Sequence, residues 1–417
     1  MTTYSAVRTT GIYCRPGCGA KPLAENVSTF ELPAAAEAAG YRACLRCRPY
    51  RVAGTVADEA PELVCRAVQL IIAGLLDESG EEALGARLGV SARHLRRMFH
   101  EHLGVTPDQF ARSRRAHFAR RLLDDTDLGV ADIAFASGFG SLRQFNRAMR
   151  EIFHASPRAL RERRRRGDRL AADGGLVLRL PFTPPYDWDA MSTYLAAHAV
   201  PGVESVEDGV YRRTISLDGQ PGLLEVGAGG DDHLILRAHL PFWEGVIHVV
   251  GRVGQLVGLD HEPVSARAQL AADADLGPLV AARPGIRVPG AWGPFEVAVQ
   301  AVVRDRLGPE DANEALRKLV EVYGVPVPGL GYGLTHLFPG PEALTGAELV
   351  GPLAREVASG NLMLGAGGEL GPLEAVTSPR AAQEIALRLG ARDAWPFDDE
   401  AEHLRPWRSL AAAHRLL

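Results

Sequence analysis

The chain is first informative through what it lacks. None of its apolar runs approaches the ~18 residues of a membrane span, and no charged start followed by an apolar stretch marks a secretory leader. These absences predict a protein that neither crosses a membrane nor is exported, and so a cytoplasmic location. Cysteine is scarce: there are five, four of them within the first 47 residues. A disulfide framework would need an oxidising compartment, which nothing in the sequence indicates. Basic charge is scarce in one part only. Residues 1–170 hold 27 Lys and Arg against 19 Asp and Glu, a net of +8, whereas residues 171–417 carry −13. The first segment suits a polyanion such as nucleic acid, and the second does not. What remains is ordinary globular composition, 46% hydrophobic and 23% charged, in a 417-residue chain long enough for two to four domains.

Cys14, Cys18, Cys44 and Cys47 form C-x3-C followed by C-x2-C. In a reducing compartment two such pairs read as four thiolates around zinc, ahead of incidental thiols or a redox pair. Residues 1–50 are too few to bury a sufficient core, so a metal staple is expected there. Spacing alone favours a purely structural zinc over a reactive one. A tetrathiolate zinc centre carries about −2, and its thiolates stay deprotonated and nucleophilic at neutral pH. Cys65, in ELVCRAV, reads as a small buried apolar residue on a helix.

After a polar connector over residues 51–60, Leu63, Val64, Ala67, Val68 and Ile71 have the spacing of an amphipathic helix, opening a helical stretch from Pro61 to about Arg166. The arginine run at 161–166 and Asp173-Gly174-Gly175 read as a helix end and a linker. Two segments inside this stretch read as helix-turn-helix units. In EEALGARLGVSARHLRRMFHEHLG, Gly89 supplies the turn, Ser91 caps the second helix, and Arg93, His94, Arg96 and Arg97 occupy its outer face. In VADIAFASGFGSLRQFNRAMREIFHASPRAL, Gly138 makes the turn, the second helix starts near Ser141, and Arg143, Gln144, Asn146 and Arg147 face outward. Arginine pairs with guanine edges, and Gln or Asn with adenine. Further on, strands are predicted at 176–181, 210–217, 223–226 and 234–240, helices at 187–199 and 244–258, and a mostly helical pattern beyond Gly293.

These residues carry three resemblances. RTTGIYCRPGCGAKPLAENVSTF followed by AAGYRACLRCRP resembles the N-terminal domain of the Ada-type adaptive-response proteins over residues 8–49. The resemblance implies zinc on all four cysteines, with Cys14 accepting a methyl group from a DNA methylphosphotriester and Cys18, Cys44 and Cys47 as co-ligands. It also implies that Thr10, Lys21 and Arg42 lie near the phosphate. Lys21 stands where the family's best-known member has an arginine, which exchanges a bidentate fork for a point charge. Loss of one thiolate charge on methylation would weaken repulsion from DNA. One charge ~6 Å away at an effective dielectric of ~20 is worth about 2–3 kcal/mol before screening. The second acceptor of such proteins sits in a Pro-Cys-His-Arg context that this sequence does not contain, so O6-methylguanine repair is not expected. Residues 61–166, with the SGF-S-x-x-x-F signature, resemble the AraC-type DNA-binding domain, which implies promoter DNA and RNA polymerase as partners.

From residue 176 the chain resembles 3-methyladenine DNA glycosylase II, on LPFTPPYDWDAMSTYLAAHAVPGVE, ARPGIRVPGAWGPFEVAVQAVV and LRPWRSLAAAH. That family joins an α/β lobe to a helical lobe, flips an alkylated purine into an aromatic pocket, and uses an aspartate to stabilise the cationic sugar. Here the Pro-Gly-Ile-Gly turn and its following tryptophan are replaced by AVTSPRAAQEIALRLG, and the Gly-Gln-Gln-Val-Ser stretch by VRDRLGPED. Asp398 and Asp399 stand where the catalytic aspartate would lie, Asp399 in the better register. A solvated acidic loop is the alternative. Tyr194 reads either as one aromatic wall of the pocket or as a core tyrosine.

The sequence therefore predicts a multi-domain protein: a zinc methyl-acceptor domain at 1–52, an all-α double helix-turn-helix at 60–167, a glycosylase-like α/β lobe at 176–284 and a divergent helical lobe at 285–417. The expected function is an alkylation-damage response in which single-turnover methyl transfer is coupled to transcription activation, with base excision impaired or lost. A bifunctional protein with a working glycosylase, and a transcription factor whose zinc is only structural, are the alternatives.

Overall fold

The computed structural model describes residues 3–51, 60–165, 168–170, 175–259, 264–364, 373 and 376–417. The predicted connector and linker lie mostly outside the described residues, as do Arg166 and Ala375 of the quoted segments. The chain forms two compact units, one of Met1–Thr183 with Phe242–Gly251 and Asp260–Val264, the other of Pro184–Pro241, Arg252–Leu259 and Ser265–Leu417.

The first unit opens with β1 (Tyr4–Val7), β2 (Ile12–Cys14), β3 (Val27–Phe30) and β4 (Arg42–Ala43), in the order β3-β1-β2-β4, with α1 (Pro33–Ala38) between the last two. β1 runs antiparallel to β2 and β3, while β2 and β4 are parallel. The sheet is too small to enclose a core, and the chain solves this by sharing one. Leu32 and Ala34, beside and in α1, pack into the cluster formed by Val64, Leu95, Phe99 and Phe110 of the helices that follow.

Those helices are α2 (Glu62–Ile72), α3 (Leu75–Glu78), α4 (Glu81–Arg87), α5 (Ala92–Leu103), α6 (Pro107–Asp125), α7 (Val130–Ala136), α8 (Leu142–Phe153) and α9 (Pro157–Glu162). Their starts follow local chemistry. The hydroxyls of Ser91, Ser141 and Ser156 accept from the amides of His94, Gln144 and Ala159. Thr106 and Gln109 close a capping box on α6, the long helix that joins the two helix-turn-helix units, and Pro107 occupies its first turn. Gly89 and Gly138 turn the chain at φ 71° and 79°, a region other residues enter at a cost. Cys65 sits half-buried on α2, its Sγ 3.5 Å from the Ala60 carbonyl. β5 (Leu176–Pro181) closes the unit, with Arg179 paired to Asp125 at 3.0 Å.

The second unit starts with α10 (Trp188–His198), followed by the antiparallel meander β6 (Glu204–Glu207), β7 (Val210–Leu217), β8 (Gln220–Gly230) and β9 (His233–His239). β8 extends beyond the predicted 223–226 at both ends, where Pro and Gly residues obscure the strand pattern. β6 was not predicted, because glutamates stand at both its ends. Helices follow: α11 (Val246–Leu256), whose first residues fall in the first unit, then α12 (Val264–Leu270), α13 (Leu276–Ala282), α14 (Pro294–Tyr323), α15 (Gly351–Ala358), α16 (Pro379–Arg388) and α17 (Arg408–Leu416). VRDRLGPED falls on α14, which breaks at Gly308 (φ 77°, ψ 166°) just before Pro309.

A buried polar network runs through this unit. Arg213 Nη2 lies 2.9 Å from Glu296 and its Nη1 3.2 Å from Glu204, while Glu204 also accepts from the Val200 amide and the Tyr211 hydroxyl. Arg388 completes the charge balance, donating to Gln300 beside Glu296 at 2.7 Å. Burial pushes the Glu296 carboxyl up, and Arg213 opposes the shift. Removing Arg213 would strand two buried carboxylates. Arg213→Met should therefore cost about 3–5 kcal/mol, read as a lowered thermal midpoint in tryptophan fluorescence, since four of the five tryptophans belong to this unit.

Candidate metal centre and DNA-binding surface

Cys14 ends β2, and the chain then turns back through Gly17 (φ 70°) so that the Cys18 amide donates to the Arg15 carbonyl at 3.3 Å. The parallel pairing of β4 with β2 delivers the second cysteine pair to the same place: the Cys44 amide donates to the Tyr13 carbonyl at 2.9 Å. A tight turn closed by the Arg48 amide on the Cys44 carbonyl, also at 2.9 Å, then brings Cys47 back. The sulfurs of Cys14, Cys18 and Cys47 lie within 4.8 Å of one another. Cys44 is hydrogen-bonded to both Cys14 and Cys47, so it joins the same cluster.

The electrostatics show what such a cluster needs. Burial raises the Cys14 thiol pKa, and the sulfurs of Cys47 and Cys44 push it further. Cys47 is pushed up to about 12, again chiefly by burial. Burial acts against Cys44 too, but the amides of Cys47 and Arg46 donate to its sulfur and bring it below the ordinary thiol value. Four thiolates packed this closely repel one another unless a cation sits among them. The all-sulfur donor set fits zinc, which when bound would supply the charge that keeps them deprotonated. Cys14 is the most enclosed of the four at 7% exposure, and the others are half-buried. Thr10 lies exposed in the β1–β2 turn, Lys21 exposed in the loop after Cys18, and Arg42 half-buried at the start of β4, donating to the Ala43 carbonyl.

On α5, Arg93, Arg96 and Arg97 are exposed and His94 is half-buried. Arg96 is engaged by Glu81, and Arg97 Nη2 lies 3.0 Å from His94 Nδ1. On α8, Arg143, Gln144 and Arg147 are exposed; Arg147 pairs with Glu151 at 2.7 Å, and the Asn146 amide donates back to the Leu142 carbonyl. The exposed Arg147–Glu151 pair is worth little and yields readily to a phosphate or base. Among the described residues the side chains of Arg93, Arg143 and Gln144 have no intramolecular hydrogen-bond or ionic partner to give up.

In the second unit the quoted AVTSPRAAQEIALRLG forms α16, with Ser378 capping at the Ala381 amide. Asp398 and Asp399 are exposed. Asp399 accepts from Arg415 at 2.8 Å, which holds its carboxyl below the usual range, and the same guanidinium lies 4.2 Å from the centre of the Phe397 ring. A cavity of about 320 Å³ opens nearby, lined among others by Tyr194, His198, Arg304, Glu384 and Phe397, but by neither aspartate. Tyr194 is buried beside this cavity, with its ring stacked on His198 at 3.9 Å. Burial, with Arg304 and Arg388, lowers His198 to about 3, so it is neutral. Arg304 Nη2 donates to the His198 carbonyl, while its Nη1 is buried without a hydrogen-bond partner. Sequence reasoning missed His198, Arg304 and Glu384. Only His198 left a signal, four residues after Tyr194 on one helix face.

Together these features define a DNA-binding regulator built around a cysteine metal centre and carrying a glycosylase-like domain. Three family descriptions match: metal binding domain of Ada over residues 2–50, helix-turn-helix domain over 84–163, and AlkA N-terminal domain over 177–293. The probable bifunctional transcriptional activator/DNA repair enzyme AlkA of Mycobacterium tuberculosis is 36% identical over 98% of this chain and 91% of its own length. The bifunctional transcriptional activator/DNA repair enzyme Ada of Escherichia coli is 37% identical over 28% of this chain and 32% of its own. DNA-3-methyladenine glycosylase 2 of E. coli is 30% identical over 40% of this chain and 57% of its own. The chain belongs to the family of Ada/AlkA-type bifunctional transcriptional activator and DNA repair proteins.

Because burial keeps protons on Cys14 and Cys47 in the metal-free site, zinc must displace them. Apparent zinc affinity should therefore rise with pH through the neutral range, by about tenfold or more per unit. Competition with a chelator of known affinity at several pH values checks this.

Proposed function

We propose that Cys14 is a single-use acceptor for the methyl group of DNA methylphosphotriesters, with Cys18, Cys44 and Cys47 as its zinc co-ligands. The observation that carries this reading is the convergence of the Cys14, Cys18 and Cys47 sulfurs at the end of β2 with Cys44 beside them, Cys14 being enclosed and raised in pKa by burial and then by its neighbours. The Cys14 thiolate attacks the methyl carbon; the S–C bond forms as the C–O bond breaks, and the phosphodiester leaves as the anion. The thioether is stable, so each chain reacts once. Thr10, Lys21 and Arg42 steady the phosphate. Loss of one thiolate charge lowers repulsion from the DNA backbone, and α5 and α8 then hold promoter DNA through Arg93, Arg143, Gln144 and their neighbours. RNA polymerase is the partner such a regulator requires, and the cytoplasm the compartment that keeps its thiols reduced. The domain division at 1–52, 60–167, 176–284 and 285–417 is part of the same reading.

Intact-mass analysis after incubation with DNA carrying methylphosphotriesters should show a gain of one methyl per chain, on the peptide containing Cys14, and none for Cys14→Ser. A protein whose zinc is only structural would gain nothing.

For the glycosylase-like unit we propose that base excision is impaired or lost. Asp399 is exposed and committed to Arg415, and it does not line the aromatic cavity. An aspartate that stabilises a cationic sugar must face the flipped nucleotide, with its charge unshared. The full chain should release no 3-methyladenine from alkylated DNA. Release that Asp399→Asn abolishes would instead establish the bifunctional alternative.

A further inference from the structure

The cysteine module does not hang from the helical domain as a separate bead. Residues that flank its metal-binding cysteines reach out of it and into α6. Tyr13, immediately before Cys14, donates its hydroxyl hydrogen to Glu37 at 2.6 Å and stands 3.3 Å from His117 Nε2 on α6. His117 in turn contacts Glu37 at 2.5 Å. On the other side, Arg48 follows Cys47 directly and pairs with Asp168 at 2.6 Å. Two and three residues further on, Tyr50 donates to Asp124 at 3.0 Å and Arg51 pairs with Asp125 at 2.8 Å.

This seam is largely buried. Asp124 and Asp125 are almost fully enclosed, and Arg120 of α6 closes on Asp124 at 2.7 Å while lying over the Tyr50 ring. The Tyr50 ring also meets Phe153, the last residue of α8, edge-on at 5.8 Å. On the opposite flank Leu32 and Ala34 enter the core of the first helix-turn-helix unit. The module thus touches both helix-turn-helix units and the helix that joins them.

We propose that the cysteine module is clamped onto α6, so that the state of the four sulfurs sets the relative placement of the two helix-turn-helix units. This rests on the zinc reading above and extends it to regulation. A buried ion pair with one partner displaced is costly, so a shift at the cysteines is not absorbed locally. It passes through Tyr13 and Arg48 into α6 and the end of α8. DNA recognition by two units at once depends on their spacing, which is how a change at one sulfur would be read by helices that do not touch it.

Hydrogen–deuterium exchange on the full chain tests this, with metal content measured in parallel. Stripping zinc with a chelator should speed exchange in α6 and the last turn of α8 by about tenfold or more, while α14 in the other unit stays unchanged. Unchanged α6 and α8 beside a deprotected segment 3–51 would overturn the proposal. Tyr13→Phe combined with Arg51→Met should loosen α6 in a chain that still holds one zinc, and Arg51→Met alone should do so more weakly. Zinc retained with α6 fully protected in both variants would also overturn it. A chain that binds no metal fails the zinc reading instead, and the same two variants still decide the clamp.

Discussion

The structure of the first unit depends on bringing four cysteine sulfur atoms into one small volume. Neither cysteine pair can do this alone. The parallel pairing of β4 with β2 does it, by setting the Cys44 amide on the Tyr13 carbonyl. Everything nearby follows from the cost of that arrangement. The module has too little apolar surface for a core of its own, so it shares one with α2, α5 and α6. Burial holds the protons on Cys14 and Cys47, and a bound cation would offset that cost. Its flanking residues are held by buried ion pairs, so the centre is not free to relax by itself.

The second unit solves a different problem. A sheet and a helical lobe meet around Arg213, with carboxylates from β6 and α14 on either side and Arg388 of α16 beyond. This network is internal support, and its charges are balanced within it. The aromatic cavity beside α10 has the opposite character: a guanidinium nitrogen of Arg304 is unsatisfied there, and Tyr194 and His198 present a flat face. The unit carries a glycosylase-like domain, while Asp399 is occupied by Arg415.

Features written in local spacing were legible in the sequence. Two close cysteine pairs state a candidate zinc site because a tetrahedral ion needs short loops between ligands. Gly89 with Ser91, and Gly138 with Ser141, state a turn and a helix start because each acts within three residues. Features made by distant residues were not legible. The meeting of Arg304, Glu384 and His198, the pairing of Arg415 with Asp399, and the seam of Asp124, Asp125 and Asp168 join residues whose separation in the chain carries no signal. β6 escaped because its pairing with β7, not its own composition, makes it a strand.

The enclosure of Cys14 has a consequence for economy of use. A thiol in open solution is consumed by any stray electrophile that finds it. Collision with small reagents in free solution scales with exposed area, and Cys14 offers very little. Whatever reaches this sulfur must first come to rest against the residues around it, so the enclosure filters by shape and dwell time before any chemistry begins.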